Sequence, residues 1–237
     1  MCIRDRAGAA LREACQRAGA GSAPVPPRRP DPAGLGPRPP LMLRSEHSEQ
    51  AHLMTGVPGL ARHDPRRPAL AVLNTALGGG PSSRLFQQVR EQRGLAYSVY
   101  STYTTYADTG SVAVYAGCAP DRLGEVADVV REVLDDVAAG GVTPAEVTRA
   151  KGNLRGGLVL GLEDAPSRMN RLGRAELDHG RQRTIAESLD QIAAVTPEDV
   201  AALAKELLAA PLTTAVVGPY EDEADLPAAL RELATVD

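Results

Sequence analysis

Four histidines, His47, His52, His63 and His179, are the first residues to test for metal or acid–base chemistry. Imidazole is both a common zinc ligand and a base that titrates near neutrality. His47 and His52 stand five positions apart, which in an extended strand sends them to opposite faces. A nonstandard metal site would need Glu46 or Glu49 beside them, and solvated strand histidines are the plainer reading. His63 falls in a loop with Asp64 and Pro65. His179 ends a helical run beside Gly180, where a cation suits the helix dipole, so both read as structural. Neither H-E-x-x-H nor H-x-x-E-H occurs in the chain, and no metal is expected in it.

The run Leu77 to Arg84 (LGGGPSSR) is only superficially like a phosphate loop, because the Gly-Lys-Ser/Thr ending and a preceding strand are missing. Gly78, Gly79 and Gly80 read instead as a flexible loop that lets backbone approach closely, with Ser82 capping the next helix. There is no G-x-S-x-G elbow, and Cys118, at the end of an apolar strand, reads as a small buried hydrophobe. That leaves Arg90 and Tyr97 in the segment REQRGLAY. An arginine near a helix C-terminus and a tyrosine opening the next strand can meet across Gly94. The guanidinium offers a rigid fork of donors to a carbonyl or carboxylate, and the phenol can hydrogen-bond a developing oxyanion. The alternative is ordinary structure, with Arg90 capping its own helix and Tyr97 a half-buried strand residue.

The elements that must position these residues follow from periodicity and punctuation. Residues 1–18 read as the remnant of a preceding domain or an artefact, with a short helical pattern at Ala9–Ala18. Pro, Gly, Ala and Arg dominate from Gly19 to Pro40, a composition that buries too little apolar area to order itself, so residues 19–44 read as a linker. Glu46–Gly56 alternates as a strand, with Ala51, Leu53 and Thr55 on one face. Helices are predicted at Arg66–Leu77 and Ser82–Gln92, the second stopped by Gly94. A hairpin follows, from strands at Leu95–Tyr106 and Gly110–Cys118. Asp121–Ala139 has helical spacing, Thr143–Glu146 is a capping box with Pro144 at its first helical position, and Thr196–Asp199 repeats the device. Thr213–Val217 is a last strand. This order predicts an α+β fold over residues 45–219, a mostly antiparallel sheet with helices packed on one face, and an acidic tail over 220–237.

A net charge of −4 leaves no basic footprint, and the arginines are interleaved with carboxylates, so nucleic acid is not an expected partner. Three cysteines without a C-x-x-C pair fit a reducing, cytoplasmic setting. The longest apolar stretch, Gly157–Leu162, is too short to span a bilayer, and no membrane partner is expected.

The segment LNTALGGGPSSRLFQQVREQRGLAYSVYS (Leu73–Ser101) closely resembles a recognisable stretch of the pitrilysin/insulinase (processing-peptidase) family of zinc metallopeptidases, bacterial type. The likeness extends through Ala107–Pro120, Thr143–Leu177 and Ala194–Val200, and covers roughly Ser45 to Pro219. In that family two similar α+β halves enclose a chamber, and an H-x-x-E-H motif on the amino-terminal half binds zinc. This chain resembles the carboxy-terminal half, which contributes an arginine and a tyrosine that reach toward the bound peptide; Arg90 and Tyr97 match them. The resemblance implies a substrate-binding, non-zinc half of a metalloendopeptidase, inactive alone. Its expected partners are a homologous zinc-bearing half, in the same polypeptide or a separate subunit, and a peptide substrate. The alternative it leaves is a noncatalytic structural or assembly subunit. The linker then reads as the hinge between the halves.

Overall fold

The structure, a computed structural model, describes Glu13 and residues 40–234. The helix predicted at Ala9–Ala18, apart from Glu13, and the Pro/Gly-rich stretch before Pro40 lie outside the described residues.

Five strands form one sheet: β1 (Leu41–Ser45), β2 (Ala51–Gly59), β3 (Ala96–Thr105), β4 (Gly110–Cys118) and β5 (Thr213–Gly218), in the order β1-β5-β2-β4-β3. Every neighbouring pair is antiparallel except β1 and β5. Alternation assigns the faces, since period-2 side chains must divide between core and outside. In β2, Ala51, Leu53, Thr55 and Val57 are buried, while His52, Met54 and Pro58 point the other way. Thr55 and Thr214, both buried, satisfy each other through hydroxyls 2.9 Å apart.

Among residues 40–234 seven α-helices accompany the sheet: α1 (Arg67–Gly78), α2 (Leu123–Gly140), α3 (Pro144–Leu160), α4 (Ala165–His179), α5 (Ile185–Ala194), α6 (Pro197–Leu208) and α7 (Ala228–Ala234). Their leucines and valines, among them Leu70, Leu77, Leu123, Val130 and Leu203, join Leu53, Val114 and Val216 of the sheet in one core. Each fully buried Leu or Val is worth about 1.5–3 kcal/mol relative to an exposed one. The capping boxes at Thr143/Glu146 and Thr196/Asp199 form as predicted, and a third, Thr184/Glu187, starts α5.

Four boundaries differ from the sequence reading. The residues assigned to the end of the linker, Leu41–Ser45, are a strand whose partner, β5, lies far along the chain, so no local pattern marks it. The strand predicted at Glu46–Gly56 begins at Ala51 and runs to Gly59, where pairing with β4 holds it; Glu46 instead donates its N–H to the Gly218 carbonyl at 2.9 Å. Ser82 is not a cap: the Ser83 hydroxyl donates to the Gly80 carbonyl at 2.6 Å, and the segment that follows is a π-helix, Phe86–Gln92. The acidic tail is part of the fold. Leu226, Leu230 and Leu233 are buried, and the Tyr220 hydroxyl donates to the Pro120 carbonyl at 2.8 Å.

Candidate functional site

The end of α1 meets β3 backbone to backbone. A Cβ on Gly78 would stand 2.2 Å from the Ser101 nitrogen, and the Ser101 hydroxyl donates to the Asn74 carbonyl at 3.0 Å. Gly78 therefore closes the helix at a place no side chain fits, whereas only Gly79 and Gly80 follow it as a link. From there Arg84 anchors the approach to the π-helix. Its Nε and Nη2 donate to the two Glu146 oxygens at 2.7 and 2.8 Å, its Nη1 to Asp136 at 2.6 Å, and Nη2 also to the Gly141 carbonyl at 3.1 Å. Glu146 also accepts from the Thr143 backbone N–H and hydroxyl, so one carboxylate joins the cap of α3 to the site loop. These contacts hold the Glu146 carboxyl well below the usual range, at about 2, chiefly through the Arg84 hydrogen bonds.

The π-helix ends where Gly94 adopts a φ of 62°, and the Leu95 N–H returns to the Val89 carbonyl at 2.9 Å. The chain then turns into β3, and Arg90 and Tyr97 come together. The Arg90 guanidinium lies 4.9 Å from the Tyr97 ring centroid and 4.8 Å from that of Phe86, held between the two rings. Cation–π contact fixes the plane of the fork while leaving its N–H edge unspent. Arg90 lies in the last turn of its helix, where a cation suits the dipole, and its one ion-pair contact among the described residues is Glu91, at the outer limit of 4.0 Å. Tyr97 is not half-buried, being 79% exposed. Phe86 completes this arrangement, and in the sequence its helical spacing with Leu85 and Val89 marks it only as an apolar helix residue.

The outer sheet face near the same end carries a second group. His52 Nδ1 and the Tyr115 hydroxyl are 2.8 Å apart, and the Tyr115 and Tyr100 rings are 5.0 Å apart between centroids. Only strand alternation, once the register is known, brings these residues to one face. His47 is exposed beyond β1, apart from His52. His63 and His179 meet edge to face at 5.4 Å. His179 is a poor cation: burial, Arg183 and Arg67 push its pKa below the ordinary value, contrary to the helix-dipole expectation. Cys118 is buried and its thiol pushed up to about 11 by desolvation. Among the described residues no group of three or more His, Cys, Asp or Glu side chains is placed to hold a metal ion, so these residues do not fit a zinc site.

Residues 11–154 match the family model described as the peptidase M16 inactive domain. An uncharacterized zinc protease of Mycobacterium bovis is 50% identical over 213 residues, 90% of this chain and 48% of that protein. An uncharacterized zinc protease of Bacillus subtilis is 39% identical over 75% of this chain and 44% of its own length. The chain thus spans about half the length of the relatives it matches. Among solved structures, the peptidase M16 inactive domain from Pseudomonas fluorescens superposes with a TM-score of 0.68 at 25% identity, covering 76% of this chain and 43% of that one.

Proposed function

Since the chain belongs to the peptidase M16 family, in the part described as its inactive domain, we propose that it is the substrate-binding, non-zinc half of a zinc-dependent metalloendopeptidase. The observation that carries this reading is the Arg90–Tyr97 pair, stacked at 4.9 Å where edge strand β3 begins. The zinc belongs to a homologous half bearing H-x-x-E-H, which supplies the Lewis acid and the activated water. The Pro/Gly-rich stretch before β1 serves as the connection to a preceding half, if the two share one polypeptide. A free, buried Cys118 fits a cytoplasmic setting.

This chain's own contribution is binding and orientation. A substrate strand added along β3 gains main-chain hydrogen bonds, because among the described residues β3 pairs only with β4. At its start the Arg90 fork, kept planar between Phe86 and Tyr97, donates to a substrate carbonyl. The exposed Tyr97 hydroxyl is free to donate to an oxygen that gains charge during cleavage. The outer sheet face, with Met42, Met54 and Tyr100 exposed among the described residues, suits a chamber wall.

The test is reconstitution. Mixed with a zinc-bearing half, the chain is expected to restore chelator-sensitive cleavage of an unstructured peptide. Arg90→Ala and Tyr97→Phe are each expected to lower kcat by about 10²–10³, the usual loss for one oxyanion donor. Unchanged rates in both variants sink the assigned grip. Failure to cleave with any such half favours the noncatalytic assembly subunit.

A further inference from the structure

The opposite end of β3 frames an open cavity of about 770 Å³, walled by Tyr103–Tyr106, by the loop before α1 and by the α4–α5 connection. Five arginines line it, Arg62, Arg67, Arg171, Arg174 and Arg183, against one carboxylate, Asp178. That carboxylate is already taken by Arg62, at 3.0 Å. Arg171 is occupied with structure, donating to the Ser188 hydroxyl at 3.0 Å and to the Arg183 carbonyl at 3.2 Å. Arg67 and Arg183 each bury an Nε–H without an acceptor among the described residues, and Arg174 makes no ion pair among them.

A neighbouring cavity of about 610 Å³ sets the contrast. It shares Arg62, Arg67 and Arg183, but Asp64, Asp199 and Glu206 also line it. There Arg66 is met by Asp64 at 2.9 Å and Glu206 at 2.7 Å. Three carboxylates line one side of these arginines and only Asp178 the other, while Arg67 and Arg183 each spend one terminal nitrogen, on the Arg62 carbonyl at 3.0 Å and the Gln191 side chain at 3.1 Å. Gathering like charges around a concave wall costs Coulomb energy, and the same geometry focuses the field on an incoming anion. The guanidinium fork meets carboxylate or phosphate oxygens two at a time. The pKa of His179, also on this wall, is lowered first by burial and only then by Arg183 and Arg67.

We propose that this cavity is an oxyanion-binding site that takes a carboxylate or a phosphate group. Two sources share that chemistry. From Tyr97 to Thr104 is about 23 Å of strand, at about 3.3 Å per residue. A peptide lying on the β3 edge with one end at Arg90 and Tyr97 therefore brings an acidic side chain or its terminal carboxylate to the cavity about seven residues on. That source rests on the peptide-gripping reading above. The other, free phosphate acting as an effector, does not.

Titration calorimetry on the full chain at low chloride separates them. Inorganic phosphate is expected to bind with one-to-one stoichiometry, and Arg174→Gln/Arg183→Gln to weaken it about tenfold or more, the loss expected for charge-assisted hydrogen bonds. Arg174→Gln alone, at an exposed position with no ion pair among the described residues, is expected to weaken it severalfold with the far-ultraviolet circular dichroism unchanged. A second arm uses two extended peptides differing only in a terminal Asp carboxylate against an Asn amide. Preference for the acidic peptide, lost in the double variant, identifies peptide as the source. Phosphate binding without that preference identifies the free anion. No phosphate heat at millimolar concentration, or binding indifferent to both arginine variants, overturns the site. Arg90→Ala is expected to leave the phosphate arm untouched, so failure of the peptide grip and failure of the cavity give different results.

Discussion

Glu146 does more than start a helix. It is 13% exposed beside Arg84 at 16%, and the bidentate pair ties the site loop to the start of α3. Its folded pKa of about 2 lies below the ordinary 4.5, so the pair adds stability at pH values above about 4.5 that is lost as pH falls from there toward 2. A shift of that size corresponds to about 3–4 kcal/mol before solvent screening, which reduces it. Urea melts taken from pH 6 to pH 2.5 are expected to show this loss in the native chain and a flatter profile in Glu146→Gln. Arg84→Ala should destabilise at neutral pH by about 3–5 kcal/mol, because it strands a partly buried carboxylate. If Arg84→Ala melts like the native chain, Arg84 does not anchor the loop. That Arg90 and Tyr97 meet was readable because Gly94 marks the turn between them, whereas the role expected of them came from the family resemblance alone. Arg84 stood in the same quoted segment, yet its partners lie 52 and 62 positions away, and nothing local points to them.

At the scale of elements, the hairpin and the capped helices were readable because alternation and the capping boxes are local signals. Strand β1 was not, since five residues between a Pro-rich stretch and a polar turn carry too little periodicity, and only β5 gives them a place. A short helix near Leu230 was readable within the acidic tail, but the burial of Leu226, Leu230 and Leu233 was not, because it depends on tertiary contact. Gly78 and Gly80 were grouped by composition, and packing separates them. Gly78→Ala puts a methyl group into the Ser101 backbone and is expected to cost at least about 1–3 kcal/mol in chemical denaturation. Gly80→Ala meets nothing within 4 Å and is expected to change stability by less than about 0.5 kcal/mol. Equal effects from the two would show that α1 and β3 do not touch there.

For the whole molecule, the question is what the exposed apolar surface does. Leu160, Met169, Leu172 and Leu177 on α3 and α4 stand out at 54–86% exposure, in addition to the outer sheet face. Such surface is characteristic of a protein that meets another. Sedimentation velocity on the chain alone is expected to show concentration-dependent association, reduced in Leu172→Lys/Leu177→Lys without a change in melting temperature. A native chain that stays monomeric at high concentration would remove the interface argument.

The parallel pairing of β1 with β5 sets an order of events during synthesis. Leu41, which opens the sheet, faces Thr214, which nearly closes it. While a ribosome is still making the helices between, β2 lacks one neighbour and β1 has none. The edge can form only after Gly218 has emerged, so nascent chains must wait with β1 unpaired. A stop codon at Thr213 would remove the last 25 residues, α7 included, and with them the strand that lies between β1 and β2.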